Sequence, residues 1–474
     1  MKLEVNSVFS QREFKMSQKK TFSYWINKNK YYHNFLLSIY RFIVPQGASV
    51  LHINCKNGYF FDALKPSLGF GVDADPDEIA YAQKRYPEYQ FYCGTLEDVS
   101  PQTFDYIILS AVTLEVYDIQ QLFERLQKFC SPKTRIVVAT YSYLWEPILW
   151  FAQKLGLRRP TVFKNWISQK DLQTFFSLSD FEVVTTSSHI LLPMYIPLIS
   201  TLCNRFLAHL PLIRKLCLHD IAVVRPLHLE KKKKEYSVSV IVPCKNEKGN
   251  IESAVARCPH IGRGTEIIFI EGDSCDGTAQ EIDRVIKQYP EKNIRFICQD
   301  GKGKGDAVRK GFAHAKGDIF MILDADLTVP PEELPKFYIA LIQNKGEFIN
   351  GSRLVYGMES QAMRTLNLFV NYSFGLLFSW LLGQKLKDTL CGTKVLFRLD
   401  YQKIVDNRAY FGDFDPFGDF DLLFGAAKLN LKLVDMPVHY KNRAYGVSQI
   451  QYFKNGLILL GMSCIALKKF KWYK

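Results

Sequence analysis

At 474 residues the chain is too long for one ordinary domain and suits two large or three smaller ones. Its 47% hydrophobic and 23% charged residues make it globular and exclude a disordered or collagen-like chain. The net charge of +14 is spread evenly, with 25 basic and 19 acidic residues up to position 228 and 36 and 28 after it. This excludes a nucleic-acid-binding arm and suits phosphate-bearing ligands or an anionic membrane surface.

Residues 1–45 read as an extension that is polar, then aromatic. The opening MKLEVNSVFSQREFKMSQKK has no apolar core, so no secretory signal is expected. Eleven cysteines without a C-x-x-C pair argue against a disulfide framework or a zinc ribbon and for reduced thiols in the cytosol.

From Ala48 onward, β-rich runs at Ala48–Asn54, Leu68–Val72, Gln90–Cys93, Phe104–Leu109 and Thr134–Thr140 alternate with helical periods such as Asp77–Tyr86 and Ile119–Cys130. Such alternation predicts a parallel sheet with helices on both faces, over residues 46–228. In a doubly wound sheet, a glycine loop after the first strand approaches the ligand, and an acid ending the second grips ribose hydroxyls. Gly58 and Asp73 stand in those two places.

EKKKKE at 230–235 reads as a solvated charged linker, 229–235. A second alternation follows over 236–454, with runs at Val238–Val242, Glu266–Ile270, Ile294–Cys298 and Ile319–Leu323. Pro243 and Glu247 in VSVIVPCKNE lie at the carboxyl end of the first run, where a nucleotide sits. EIIFIEGDSCDGT offers Glu271, Asp273 and Asp276 to ribose or base, and GKGKGDAVRKGF brings Lys304 and glycine backbone to phosphate. The run DIFMILDAD ends in Asp324 and Asp326. If the strand continues through them, both carboxylates point one way and converge on one hard cation, Mg2+ or Mn2+, that neutralises diphosphate charge.

Two stretches lack charge over spanning length, Val183–Asn204 and Thr365–Gln384. Pro193 and Pro197 make the first a poor spanning helix. In the second, Asn367, Asn371, Gly375, Ser379 and Gly383 recur every four residues, a small-polar ridge on a greasy cylinder. That helix either lies on a membrane interface, is buried, or spans. The terminal 455–474 segment, ending KKFKWYK, reads as an interfacial basic–aromatic tail.

The pieces VLHINCKNG, GVDADPDEI, GTLEDV and FDYIILSAV resemble class I S-adenosylmethionine-dependent methyltransferases. The resemblance implies a Rossmann-like fold and S-adenosylmethionine as cofactor. The loop departs from the family: His52 replaces its acid, and Asn54 and Lys56 replace two glycines, so scaffold is expected more than catalysis. Residues 236–454 resemble family 2 glycosyltransferases of the GT-A fold, most of all dolichyl- and polyprenyl-phosphate sugar transferases. The pieces are GKGKGDAVRKG, ADLT, INGSRL, KDTLCGTKVLFR and MPVHYKNRAYGVSQI. Carried over by position, Pro243 and Glu247 frame the nucleotide, Asp324 and Asp326 hold metal and diphosphate, and Arg353, Arg364 and Arg443 face donor and acceptor phosphates. Asp421, beside Asp419, orients the acceptor. EGDS at 271–274 departs from the family's D-D-G-S, which leaves the base, uracil or guanine, open.

The resulting expectation is an α/β chain of two domains acting at the cytoplasmic face of a membrane or in the cytoplasm. It would be an inverting, metal-dependent hexosyltransferase moving a sugar from a nucleotide-diphospho-sugar, UDP-glucose-like, to a polyprenyl phosphate. A phosphate monoester is anionic at neutral pH and needs cations more than a general base. Transfer to a glycan hydroxyl and a non-catalytic nucleotide-binding scaffold are the alternatives. QAMRT at 361–365 lacks the Trp of processive synthases, Cys391 reads as a packed turn residue, and His52, His219 and His314 have no metal spacing.

Overall fold

The computed structural model describes residues 21–161, 165–227, 235–356, 365–412, 415, 418–446 and 452–472. The 229–234 stretch of the expected linker and Arg364 lie outside them. Two compact units form, Met1–Lys231 with Lys471–Lys474, and Lys232–Phe470.

The first unit is a seven-stranded sheet: β1 Ser49–Ile53, β2 Leu68–Asp73, β3 Gln90–Cys93, β4 Phe104–Ser110, β5 Cys130–Tyr141, β6 Phe181–His189 and β7 His219–Pro226. The order is β3-β2-β1-β4-β5-β7-β6. β1 to β5 are parallel, whereas β7 runs antiparallel between β5 and β6. The expectation of a parallel sheet therefore holds for five strands only. β6 takes up the start of the uncharged stretch, and the chain then returns to β7 beside it, which makes these neighbours antiparallel. Val50, Leu51, Ile107, Ile108, Val137 and Val138 are fully buried, which explains their continuous apolar runs. The helix Pro76–Arg85 starts where Asp75 accepts from the Asp77 and Glu78 amides, with Pro76 in its first turn. The described part of the expected extension forms helices Phe22–Lys28 and Lys30–Ile43, which bury Trp25, Leu36, Ile39 and Tyr40.

The second unit repeats the logic with β8 Ser237–Cys244, β9 Gly264–Glu271, β10 Asn293–Cys298, β11 Ile319–Ile322, β12 Phe348–Ser352, β13 Lys394–Phe397 and β14 Leu433–Pro437. The order is β10-β9-β8-β11-β13-β12-β14, with β13 antiparallel to both neighbours. β8, β9, β10 and β11 are parallel, so their carboxyl ends open on one edge.

The uncharged 365–384 stretch forms the helix Thr365–Leu382. Its ridge meets protein: a Cβ at Gly375 would collide with the Lys387 carbonyl, and the Ser379 hydroxyl bonds the Leu386 amide and carbonyl, both at 2.8 Å. Phe378 and Leu381 are buried, while Phe369, Tyr372 and Leu376 are exposed. Among the described residues no helix is long and apolar enough to cross a membrane. The tail, expected as an interfacial basic–aromatic segment, packs on the second unit through its last helix turns. Phe470 is buried against Phe411 and Phe424, and Lys469 Nζ bonds the Tyr410 carbonyl. All eleven cysteines are free.

Candidate active site

The acids of the second unit gather where β8, β9 and β11 end. β8 carries Pro243 near its end, and the chain then turns at Asn246, in a left-handed conformation (φ 55°), to reach Glu247. The Glu247 amide donates to Thr278 Oγ1 at 3.0 Å, and its carboxylate accepts from Asn250 Nδ2 at 2.6 Å. Burial raises the Glu247 pKa, against the opposing pull of Asn250 and Arg443.

Asp324 and Asp326 do not continue a strand. β11 stops at Ile322, the Leu327 amide donates to the Asp324 carbonyl at 3.1 Å, and Leu327 takes φ 52°. The two acids therefore lie in a tight turn, where alternation no longer sets side-chain direction. Each finds its own cation. Lys304 Nζ lies 2.6 Å from Asp324 Oδ1, and Arg443 Nη2 donates to Asp326 Oδ2 at 2.7 Å. Asp326 Oδ1 accepts from the Thr328 amide and hydroxyl at 3.1 and 2.9 Å. Burial works against the Asp324 charge, but Lys304 outweighs it, with Lys394 and Arg353 adding, and leaves the pKa below the ordinary value.

Arg443 joins this turn to β8. Its Nη1 donates to Glu247 Oε1 at 3.0 Å while Nη2 holds Asp326. The segment that carries it is fixed at both ends: the Lys441 amide donates to the Thr328 carbonyl at 2.9 Å, and the Tyr445 ring lies where a Cβ on Gly249 would be.

A second cluster adjoins Asp324. Lys394, fully buried, is 3.0 Å from Asp419 Oδ1, and Lys304 is 4.0 Å from Asp419 Oδ2. Gly392 leaves the space for this cluster, because a Cβ there would collide with Asp324 Oδ2 and Lys304 Nζ. Of the acid pair on the helix Asp419–Lys428, it is Asp419 that reaches the centre. Asp421 is held by Arg408 Nε at 2.9 Å.

Arg353 is committed as well. Its Nε and Nη2 form a bidentate fork on the buried Asp388, at 2.8 and 2.9 Å, and its amide donates to the same carboxylate at 3.0 Å. Glu271 accepts from the amides of Asp273 (3.2 Å) and Ser274 (2.6 Å), one on each oxygen, and so shapes the turn after β9. Asp273 is exposed at φ 57°. Cys391 is buried, and burial pushes its thiol up to about 11.

Two hard oxygen donors in one turn suit a Mg2+ or Mn2+ ion that takes its other ligands from diphosphate and water. Asp324 and Asp326 would hold it. Among the described residues no set of three His, Cys, Asp or Glu forms a self-contained metal cage.

Sequence reading passed over Asp388, Lys394 and Gly392. Their signal was present in the single run KDTLCGTK, which puts an acid, a tight glycine turn and a lysine between two elements.

The corresponding edge of the first unit keeps the loop path and fills it. Asn54 and Lys56, at the expected glycine positions, still adopt φ 62° and 51°. Asp73, 4% exposed, accepts from the Lys56 amide at 2.8 Å and from the Asp75 amide at 3.0 Å, with Lys56 Nζ at 3.5 Å. Asn54 Nδ2 bonds the Ser110 carbonyl at 2.9 Å. Burial, then Lys56, pushes the His52 pKa down to about 3, so His52 is neutral and brings no charge for a substrate ammonium. Gly58 faces the Phe91 and Tyr86 rings, which a Cβ would meet at 3.0 and 3.2 Å. These residues do not fit S-adenosylmethionine: the acid meant for ribose is buried under the chain's own lysine.

Residues 239–410 match the family model for glycosyl transferase family 2, and residues 28–186 match one for a methyltransferase domain. A dolichol-phosphate mannosyltransferase of Pyrococcus furiosus is 40% identical over 122 residues, 25% of this chain and 34% of the relative. An undecaprenyl-phosphate 4-deoxy-4-formamido-L-arabinose transferase of Salmonella paratyphi B is 24% identical over 221 residues, 46% and 63% of the two chains. The matches thus span less than two thirds of these relatives. Among solved structures, glucosyl-3-phosphoglycerate synthase of Mycobacterium tuberculosis aligns with a TM-score of 0.37 at 18% identity, over 50% of this chain and 80% of that one.

Proposed function

We propose that this chain, built from a methyltransferase domain and a family 2 glycosyltransferase domain, moves a hexose from a nucleotide diphosphate to a polyprenyl phosphate in its second unit. The observation that carries this reading is the set of ion pairs at the carboxyl ends of β8 and β11: Lys304 on Asp324, Arg443 on Asp326 and Glu247. These acids and cations are held at hydrogen-bond distance before any ligand arrives, so a diphosphate and its metal enter by exchange of partners. The phosphates would take the Lys304 and Arg443 charges, which would free the Asp324 and Asp326 carboxylates to hold the metal. A bound Mg2+ or Mn2+ neutralises charge on the departing diphosphate.

The acceptor needs no base, because a phosphate monoester is already anionic. Lys394, buried beside Asp419, keeps that carboxylate in place next to Asp324 without adding net negative charge. Arg353 and Asp388 fix the turn that follows the helix Thr365–Leu382, whose exposed Phe369, Tyr372 and Leu376 give an isoprenoid chain an apolar face. The relatives named for dolichol-phosphate and undecaprenyl-phosphate transfer support a lipid phosphate acceptor. A glucose donor carried on UDP is the favoured pairing.

The first unit has no part in the transfer in this reading. With Asp73 covered by Lys56, it serves as scaffold.

Incubation of the full chain with radiolabelled UDP-glucose or GDP-mannose, undecaprenyl phosphate, magnesium and detergent tests the proposal. Label in the organic phase is expected. Label confined to water with both donors rejects it.

A further inference from the structure

A large apolar surface that neither site explains lies on the first unit. From Val183 to His219 the chain has no Asp or Glu, and it carries Arg205, Arg214 and Lys215. Between β6 and β7 this stretch is anchored by buried Ile190, Ala208 and Leu218 but leaves most of its large apolar side chains exposed. Leu198 is 86% exposed and Leu212 80%. A neighbouring segment behaves alike: no residue of the helix Glu146–Lys154 is buried, although it presents Ile148, Trp150 and Phe151. Trp145 Nε1 donates to the Leu216 carbonyl at 2.8 Å, so the two segments lie side by side. Segments 143–157 and 194–216 hold 17 of the 35 large apolar side chains exposed among the described residues, far beyond chance scatter.

This surface is built rather than frayed. Ser200, fully buried, accepts from the Ile196 amide at 2.6 Å and donates to the Met194 carbonyl at 2.8 Å. Asn204, 1% exposed, bonds the Leu192 amide and carbonyl at 2.9 and 2.7 Å. Leu198, at the tip, is held at φ 64°, a conformation that costs a branched-chain residue and persists only where the surroundings enforce it. The strain goes into presenting a leucine to solvent.

We propose that this face of the methyltransferase-like unit docks on an anionic phospholipid bilayer, with Leu198 and Leu212 entering the acyl boundary. Apolar tips, a Trp beside a Lys (Lys154 Nζ lies 3.8 Å from the Trp150 ring) and a basic stretch without acids are what an interfacial surface requires. A second copy fits less well, because face-to-face packing sets Arg214 and Lys215 against like charges. The inference does not rest on the glycosyl-transfer reading, and it gives the unit that lost its cofactor site a role in holding the chain at the membrane.

The test is flotation of the full chain with vesicles of phosphatidylcholine, with and without phosphatidylglycerol, and no donor or acceptor present. Flotation with the anionic vesicles is expected. The double substitution Leu198→Asp, Leu212→Asp should lower the bound fraction about tenfold. Because both side chains are exposed, circular dichroism should match the parent. Brominated lipid provides a readout independent of that variant: it should quench the parent's tryptophan emission, and less so in Trp150→Phe. Four results would overturn the proposal: no flotation with either vesicle, equal flotation of the double variant, unchanged quenching in Trp150→Phe, or a dimer that the double variant splits while vesicles recruit nothing.

Discussion

Arg443 joins two acids that lie 196 and 117 positions before it in the chain: its Nη1 holds Glu247 at 3.0 Å and its Nη2 holds Asp326 at 2.7 Å. The planar fork lets one side chain do this, and an ammonium cannot reproduce both directions. Arg443→Lys should therefore lower kcat/KM for glycosyl transfer about 100-fold, roughly 3 kcal/mol. Arg443→Ala should lower it further and raise the donor KM. Steady-state kinetics checks both, and an Arg443→Lys enzyme with parental kcat/KM would show that the bridge is dispensable.

Gly392 is a packing requirement with a functional consequence. A methyl group there collides with the Asp324 carboxylate and the Lys304 ammonium. Gly392→Ala should displace that pair, reduce turnover at least about tenfold and cost about 1–3 kcal/mol of stability. Activity assays and a denaturant titration read the two effects separately.

The Arg353–Asp388 fork is a buried pair, so removing one partner leaves a charge without compensation. Arg353→Met should destabilise by about 3–5 kcal/mol. The pair also sets an acid limit. Burial opposes the Asp388 charge, Arg353 outweighs it, and the pKa falls below the ordinary value. A lowered carboxylate pKa stabilises fully above the unfolded value of about 4 and loses that contribution as pH falls through the folded value. Denaturation midpoints between pH 7 and pH 3 should fall in the parent and fall less steeply in Asp388→Asn.

S-adenosylmethionine should not bind the full chain with micromolar affinity, because Lys56 covers Asp73. Isothermal titration checks this. Lys56→Gly suits φ 51° better than lysine does and frees the carboxylate, so it is the substitution expected to gain heat of binding.

Much of the fold is legible in sequence because buried parallel strands read as continuous apolar runs, as Val238–Val242 and Ile319–Leu323 do. The antiparallel strands β7 and β13 were not, since a run such as KVLF says nothing of direction. At the site, residue types near strand ends were visible: Glu247, Asp324, Asp326, Lys304 and Arg443 all meet there. Their pairing was not. Extrapolating β11 through Asp326 missed the turn at Leu327, and the phosphate role expected of Arg353 and the acceptor-orienting role expected of Asp421 took no account of Asp388 and Arg408, which hold them through tertiary contacts. In the first unit the sequence exposed the eroded loop, but only the fold brings Lys56 onto Asp73.

The most direct measurement is transfer of labelled hexose to undecaprenyl phosphate by the parent and by Asp324→Asn with Asp326→Asn, in the presence of magnesium. The expected result is lipid-linked label from the parent and a loss of about a thousandfold or more in the double variant, with unchanged circular dichroism. Equal turnover by the two proteins would contradict the assignment of this acid turn as the place where the nucleoside diphosphate departs.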